Sequence, residues 1–176
     1  MIHPRRTLTV LMAALAIGTS GCSSSPPSSL PPVSATAPAA NPSVDYREPR
    51  QVCDAFAVAV YRVDTTVDRG PQDAYRRATA YVDAELAAAV AAAPAAPLTP
   101  LWQQWTAHGV YVDVQTAKYA GDALPSATDG EQHHATVVTT RPVGRDGWHG
   151  PAQRRTVVCT LRQGGAGWRV SAYETG

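Results

Sequence analysis

Lysine is almost missing from this chain: Lys118 is the only one, and arginine supplies the rest of the 15 basic residues. Together with 14 acidic residues they give a formal net charge of +1, and no run of basic side chains occurs. A protein that binds nucleic acid needs a basic patch to neutralise phosphates. The composition therefore argues against a nucleic-acid partner.

No apolar run reaches the roughly 20 residues that a membrane-spanning helix needs. The apolar run near the N-terminus, residues 8–17, follows the basic pair Arg5 and Arg6 and leads into small residues that stop at Cys22. This order is typical of an export signal, and an uncleaved short anchor is the alternative. The basic pair is compatible with either the general or the twin-arginine export route.

Residues 1–22 resemble the signal peptide of bacterial lipoproteins. The arginine and alanine bias is typical of a high-GC genome such as that of an actinobacterium. The resemblance implies that residues 1–21 are removed and that Cys22 is acylated, although Thr19 stands where the lipoprotein pattern more often has a larger aliphatic residue. We therefore expect a membrane contact through an N-terminal lipid anchor, on the outer face of the cytoplasmic membrane.

Cysteine is also scarce, with three residues in all. If Cys22 carries lipid, Cys53 and Cys159 remain, and an even remainder in an oxidising compartment suggests one disulfide. Closing a loop of roughly 100 residues would stabilise the fold by about 4 kcal/mol at most. Two buried thiols that behave as small apolar side chains are the alternative.

Residues 22–47 are rich in Pro, Ser and Ala, nearly uncharged and without periodic apolar residues. Such a segment cannot bury a core, so its composition predicts a disordered tether. The remaining residues, 48–176, are enough for one domain with a single core.

The first part of this domain has helical periodicity. Apolar residues recur at spacings of three and four along residues 48–68 and again along residues 71–93, which predicts two amphipathic helices. Thr99 and Pro100 are typical of an N-cap and first turn, and they predict a short third helix that Gly109 ends. The apolar face of the first helix consists of Val52, Phe56, Ala59, Val60, Val63 and Val67.

After Gly109 the apolar period changes to two, which predicts strands. Four segments qualify: residues 110–119, 134–141, 154–163 and 168–174. Helices followed by an antiparallel meander define an α+β fold, with the helices on one face of the sheet.

This element order resembles the cone-shaped, nuclear-transport-factor-2-like fold, in which a long first helix crosses a strongly curved antiparallel sheet. The resemblance covers residues 48–174 and rests on element order and length. It implies that Cys53, near the start of the first helix, can meet Cys159 on the inward face of the third strand. The alanine-rich second helix is longer than this fold requires.

Enzymes of the cone-shaped family work with an acidic, histidine or tyrosine side chain in the cavity between helices and sheet. The candidates here are Tyr61, Asp64, Asp113 and either His133 or His134. We expect Asp64 and Asp113 to face water. Since no catalytic motif accompanies these residues, we expect a non-catalytic protein without a cofactor.

The geometry of a strand argues against a metal site formed by the histidines. Adjacent residues of a strand point to opposite faces, so His133 and His134 cannot both bind one ion, and His108 and His149 add no recognisable spacing. We therefore predict surface histidines and no metal site.

Tryptophan provides the largest apolar side chains. Trp168 lies in an alternating strand and is expected in the core. Trp102 and Trp105, three residues apart on one helical face, either cap the core or line the mouth of the cavity. Trp148 lies in a glycine-rich hairpin loop, where a tryptophan is a candidate partner contact.

Two functions remain open at this point. In the first, the domain is a non-catalytic binding or assembly module of the cell envelope, with another envelope protein as its partner. In the second, the cone cavity binds a small apolar ligand or lipid, or carries out proton transfer on it. A closed apolar core favours the first, and an open pocket with convergent Asp, His or Tyr side chains favours the second.

Overall fold

The structure, a computed structural model, describes residues 41–176. Its helices are α1 (Pro49–Tyr61), α2 (Gln72–Ala78), a 3₁₀ turn (Thr79–Tyr81), α3 (Ala84–Ala92) and α4 (Pro100–Ala107). Its strands are β1 (Tyr111–Lys118), β2 (Glu131–Val143), β3 (Gln153–Gly164) and β4 (Gly167–Thr175). The strands form one antiparallel sheet in the order β1-β2-β3-β4, against which the helices pack. The predicted α+β class is confirmed.

The main core lies between α1 and the inward face of the sheet. The largest buried aliphatic side chains of this core are Val52, Val82, Val138, Val157, Leu161 and Val170. Burying an aliphatic side chain of this size contributes about 1.5–3 kcal/mol. A second, smaller cluster joins α2, α4 and β1 and consists of Val63, Ala74, Trp102 and Val112.

The disulfide between Cys53 and Cys159 links α1 to β3, with the two Cα atoms 5.9 Å apart. Both cysteines are fully buried in the main core. Cys53 lies on the buried face of α1, and Cys159 shares the inward face of β3 with Val157 and Leu161. The prediction of this disulfide is confirmed.

Helix α1 is shorter than predicted, because it ends at Tyr61 instead of continuing to residue 68. Beyond Tyr61 the chain is extended and pairs with β1: the carbonyl of Val63 accepts a hydrogen bond from the N–H of Val112 at 2.8 Å. Asp64 then accepts a bond from the N–H of Thr66 at 3.0 Å, a local side-chain contact that competes with helix formation. As a result Val67, expected on the apolar face, is 76% exposed.

The predicted second helix is interrupted, which corrects its length. Val82 is extended and buried, and the N–H of Asp83 donates to the carbonyl of Val170 in β4 at 3.0 Å. The carboxylate of Asp83 accepts from the N–H of Leu86 at 2.8 Å and so caps α3. Aspartate is a favoured N-cap residue, and this cap starts a new helix where the apolar period suggested a continuous one.

Residues 41–47, which we call the N-terminal strap, belong to the folded domain rather than to the predicted tether. Tyr46 is buried in the main core, and its carbonyl accepts a hydrogen bond from the N–H of Trp168 at 2.7 Å. The Tyr46 hydroxyl donates to the carbonyl of Ala80 at 3.0 Å, and the Arg169 guanidinium lies 3.7 Å from the centre of the Tyr46 ring. The sequence predicts that the domain begins at Glu48. The folded domain begins earlier, because the N-terminal strap is part of it.

Candidate functional site

An open groove of about 280 Å³ lies between the end of α1, α4 and the inward face of the sheet. We call it the tyrosine groove. Tyr61 of α1 lines it, as do Leu101 and Trp105 of α4. Val63 and Val112 of the smaller core cluster lie at its base. The groove is therefore predominantly apolar and opens to solvent between the two core clusters.

Specific residues fix both ends of helix α4. The Thr99 hydroxyl accepts a hydrogen bond from the N–H of Trp102 at 3.2 Å, as predicted for an N-cap, and Pro100 follows it. Gly109 leaves the helix with a φ of 55°, a conformation that glycine adopts readily. Between these ends Trp102 enters the smaller cluster, while Trp105 is half-buried and lines the groove.

Three tyrosine hydroxyls converge beside the groove. Tyr61 and Tyr75 line it, and Tyr173 lies next to them with its ring edge-on to Phe56 at 5.0 Å. Burial raises the pKa of Tyr61, an effect that the positive charge of Arg155 opposes. Burial, together with the nearby hydroxyl of Tyr75, raises the pKa of Tyr173 to about 12. Tyr61 and Tyr173 are therefore neutral at physiological pH and act as hydrogen-bonding groups.

Among the described residues, 41–176, Arg155 is the only charged one that lines the groove. Its Nη2 donates to Oε1 of Gln153 at 2.7 Å. Within residues 41–176 no carboxylate forms an ion pair with it. The groove thus combines an apolar interior, neutral hydroxyls and one positive charge without a protein counter-ion in the described part of the chain.

The sequence-predicted contact residues separate into two places. Tyr61 and Trp105 meet at the groove, with Trp102 packed beside it in the smaller cluster. Trp148 lies in the β2–β3 hairpin loop and stacks on His108 with ring centres 4.9 Å apart. The Trp148 side chain is half-buried there, and the backbone N–H of Trp148 donates to Oδ1 of Asp146, whose Oδ2 lies 2.7 Å from Nδ1 of His108. This loop fastens onto the end of α4 and does not line the groove.

Asp64 and Asp113, the two acidic candidates, do not line the groove. The guanidinium of Arg145 binds both Asp64 oxygens, at 3.1 and 2.7 Å. These hydrogen bonds lower the pKa of Asp64 to about 2. Asp113 is exposed on the other face of β1, opposite Arg141 of β2. Neither carboxylate is placed to exchange a proton with a ligand in the groove.

His133 and His134 point to opposite faces of β2, as predicted. His133 contacts the hydroxyl of Thr160 at 3.3 Å, whereas His134 faces α1 and is half-buried, which lowers its pKa. Among residues 41–176 no group of three His, Cys, Asp or Glu side chains is arranged to hold a metal ion.

No helix within the described range is both long and apolar enough to cross a membrane. Cys22 and residues 1–21, the predicted signal peptide, lie outside the described residues.

Sequence reasoning missed Arg155, Tyr75 and Leu101 as groove residues. Arg155 could have been found, because period-two alternation from Val157 and Cys159 puts it on the inward face of β3. Tyr75 falls within the second predicted helix, residues 71–93, and its approach to Tyr61 depends on how α2 packs against α1. No local sequence pattern predicts how these two helices pack.

Comparison with protein-family models, with curated proteins and with solved structures gave no match for this chain. The structure itself defines the class: an α+β domain with a disulfide-linked core and an apolar groove edged by tyrosines and one arginine.

Proposed function

We propose that this chain is anchored by lipid to the outer face of the cytoplasmic membrane, in the cell envelope. Its folded domain is a non-catalytic binding module. The observation that carries the proposal is the tyrosine groove, an open apolar pocket with convergent tyrosine hydroxyls, which favours the binding of a small ligand over a closed assembly module. Leu101 is 51% exposed and Tyr75 37% exposed at its rim. Exposed apolar and tyrosine side chains around a concavity are typical of binding sites.

The cone-shaped, nuclear-transport-factor-2-like arrangement belongs to this proposal. Helix α1 packs against all four strands, and β3 and β4 form the hairpin near the C-terminus. The tyrosine groove would then be the mouth of the cone. These contacts support the arrangement, and the α+β class does not depend on it.

The environment of the titratable groups favours binding over proton transfer. A general base at neutral pH needs a pKa near the working pH. The pKa values of Tyr61 and Tyr173 are raised, and Asp64 is engaged by Arg145. The groove therefore offers hydrogen bonds and a charge, without a base suited to neutral pH among its described residues.

Cys22→Ser tests the anchor. If Cys22 is acylated, the wild-type chain partitions into the detergent phase of a Triton X-114 extract and incorporates labelled palmitate in a related bacterial host. We expect the variant to lose the label and the lipid-dependent partitioning. Equal labelling of the variant would contradict lipidation at this residue.

A photo-crosslinking amino acid placed at Leu101 tests the groove. We expect a discrete adduct in the native host, either a protein or a small molecule, which Trp105→Ala abolishes. The matched control is the same amino acid at Gln115, which is exposed on the opposite face of β1. No adduct at Leu101, or the same adduct at both positions, would overturn the groove as the binding site.

A further inference from the structure

The charge of the tyrosine groove restricts what it can bind. Arg155 is its only charged lining residue, and its only side-chain hydrogen bond within residues 41–176 goes to the neutral amide of Gln153. A guanidinium binds carboxylate and similar oxyanions with charge-assisted hydrogen bonds. An anionic group on the ligand would therefore be complementary to this site, whereas a cation would be repelled.

The size of the groove restricts the ligand further. Ligand sites for drug-sized molecules typically enclose roughly 300–1,000 Å³. At about 280 Å³ the groove lies just below the lower end of that range. It can hold one small apolar body, and it is too small to enclose a long acyl chain or a lipid with two chains.

The polar groups lie together. Gln153 and Arg155 are two residues apart on the inward face of β3, and Tyr61 is close enough to Arg155 for the two to interact electrostatically. The apolar side chains of Leu101 and Trp105 come from α4. The site thus combines a polar cluster from α1 and β3, suited to an oxyanion, with apolar side chains from α4, suited to hydrocarbon.

We propose that the tyrosine groove binds a small monocarboxylate with an apolar body, with Arg155 and the Tyr61 hydroxyl binding the carboxylate and Trp105 and Leu101 packing against the apolar body. This inference rests on the groove being the binding site of the proposed module, and it names the chemical class of the occupant. A cell-envelope protein that inserts an apolar side chain is the competing occupant.

Two fluorescent dyes test the charge requirement: 1-anilinonaphthalene-8-sulfonate and N-phenyl-1-naphthylamine, which share an aromatic body and differ by the sulfonate. The protein is residues 34–176, exported into an oxidising compartment. The chain divides before Ser34, and every described core side chain and the disulfide lie within this range. We expect the anionic dye to bind about tenfold more tightly, and octanoate, but not 1-octanol, to displace it.

Single substitutions show which residues cause the preference for the anionic dye. Arg155→Gln should remove the preference for the anionic dye and leave the affinity for the neutral dye unchanged, whereas Trp105→Ala should weaken both. Arg154→Gln is the control, because residue 154 is exposed and lies on the opposite face of β3. Far-ultraviolet circular dichroism checks that each variant is folded.

Three outcomes would overturn the proposal: equal affinity for the two dyes, a preference that survives Arg155→Gln, or no binding of either dye. A protein adduct at Leu101 together with any of these would leave the groove as a binding module and would replace the carboxylate with a protein partner. No adduct and no dye binding would reject both proposals.

Discussion

At Gly167 the chain cannot accommodate a side chain. Its φ is 95°, and a Cβ atom there would lie 2.5 Å from the carbonyl oxygen of Tyr46. Left-handed backbone costs an L-residue roughly 1–2 kcal/mol, and the contact with the strap adds to that cost. We expect Gly167→Ala to lower the free energy of unfolding by at least about 2 kcal/mol in guanidinium denaturation.

Gly165→Ala is the control for Gly167. No atom lies within 4 Å of a Cβ built at Gly165, and its φ is not in the left-handed region. Its effect should stay within about 0.5 kcal/mol, the range of surface substitutions. Equal effects at the two positions would contradict the close approach of the strap to the β3–β4 turn.

Asp64 makes the free energy of unfolding depend on pH in the acid range. Its pKa is about 2 in the folded protein, chiefly because Arg145 binds its carboxylate, against a usual value of 3.8. A carboxylate whose pKa is lower in the folded than in the unfolded protein stabilises the fold at any pH above the unfolded-state pKa. The contribution of Asp64 is therefore complete above about pH 5 and is lost as the pH falls through the folded-state pKa of about 2. The pair is largely solvent-accessible, which limits the contribution to less than about 1 kcal/mol.

The variant Asp64→Asn isolates this contribution. The difference in unfolding free energy between wild type and variant should be constant above about pH 5 and should shrink as the pH falls from about 4 to 2. Arg145→Gln should reproduce the loss, and the double variant should add little to it. A difference that grows towards acid pH would contradict the assignment.

At the scale of elements, the disulfide fixes α1 on the sheet. It spans a separation of 106 residues, and closing so long a loop removes more conformational entropy from the unfolded chain than closing a short one. The double variant Cys53→Ala with Cys159→Ala should therefore lower the unfolding free energy by about 2–4 kcal/mol. Denaturation in guanidinium with and without reductant checks this, since reductant should have no effect on the variant.

The elements also indicate which parts of a fold a sequence reveals. The N-cap pair Thr99 and Pro100 and the alternation around Val112 are local, and both predicted their elements correctly. The end of α1 depends on backbone pairing of Val63 with β1, and the start of α3 on pairing of Asp83 with β4. Such contacts join residues far apart in sequence, so no local period contains them.

The same distinction holds for the whole domain and its groove. The sequence identifies Trp105 as a candidate contact because tryptophan is the largest apolar side chain, and Tyr61 because the family resemblance places a tyrosine in the cavity. The groove itself requires α1, α4 and β3 to converge, which follows only from how they pack. The position of the domain start was wrong for the same reason, because the proline-rich composition around Tyr46 resembles a tether.

A shortened chain tests the domain boundary. A protein that begins at Glu48, as the sequence suggested, would lose the burial of Tyr46 and its hydrogen bond to Trp168. Burying one large side chain contributes about 1.5–3 kcal/mol, and we expect a loss of that size relative to residues 34–176. Equal thermal midpoints for the two proteins would show that the strap contributes nothing.

The position of Cys53 near the start of the fold determines how the domain would respond to mechanical tension. If the chain is anchored as proposed, a force on the anchor reaches the described part of the domain at Asn41 and pulls the chain away towards Cys53. There the load passes through the covalent bond to Cys159, so the intervening residues are excluded from the stretched path. A single-molecule pulling experiment should therefore show a short extension under oxidising conditions and a much longer one after reduction.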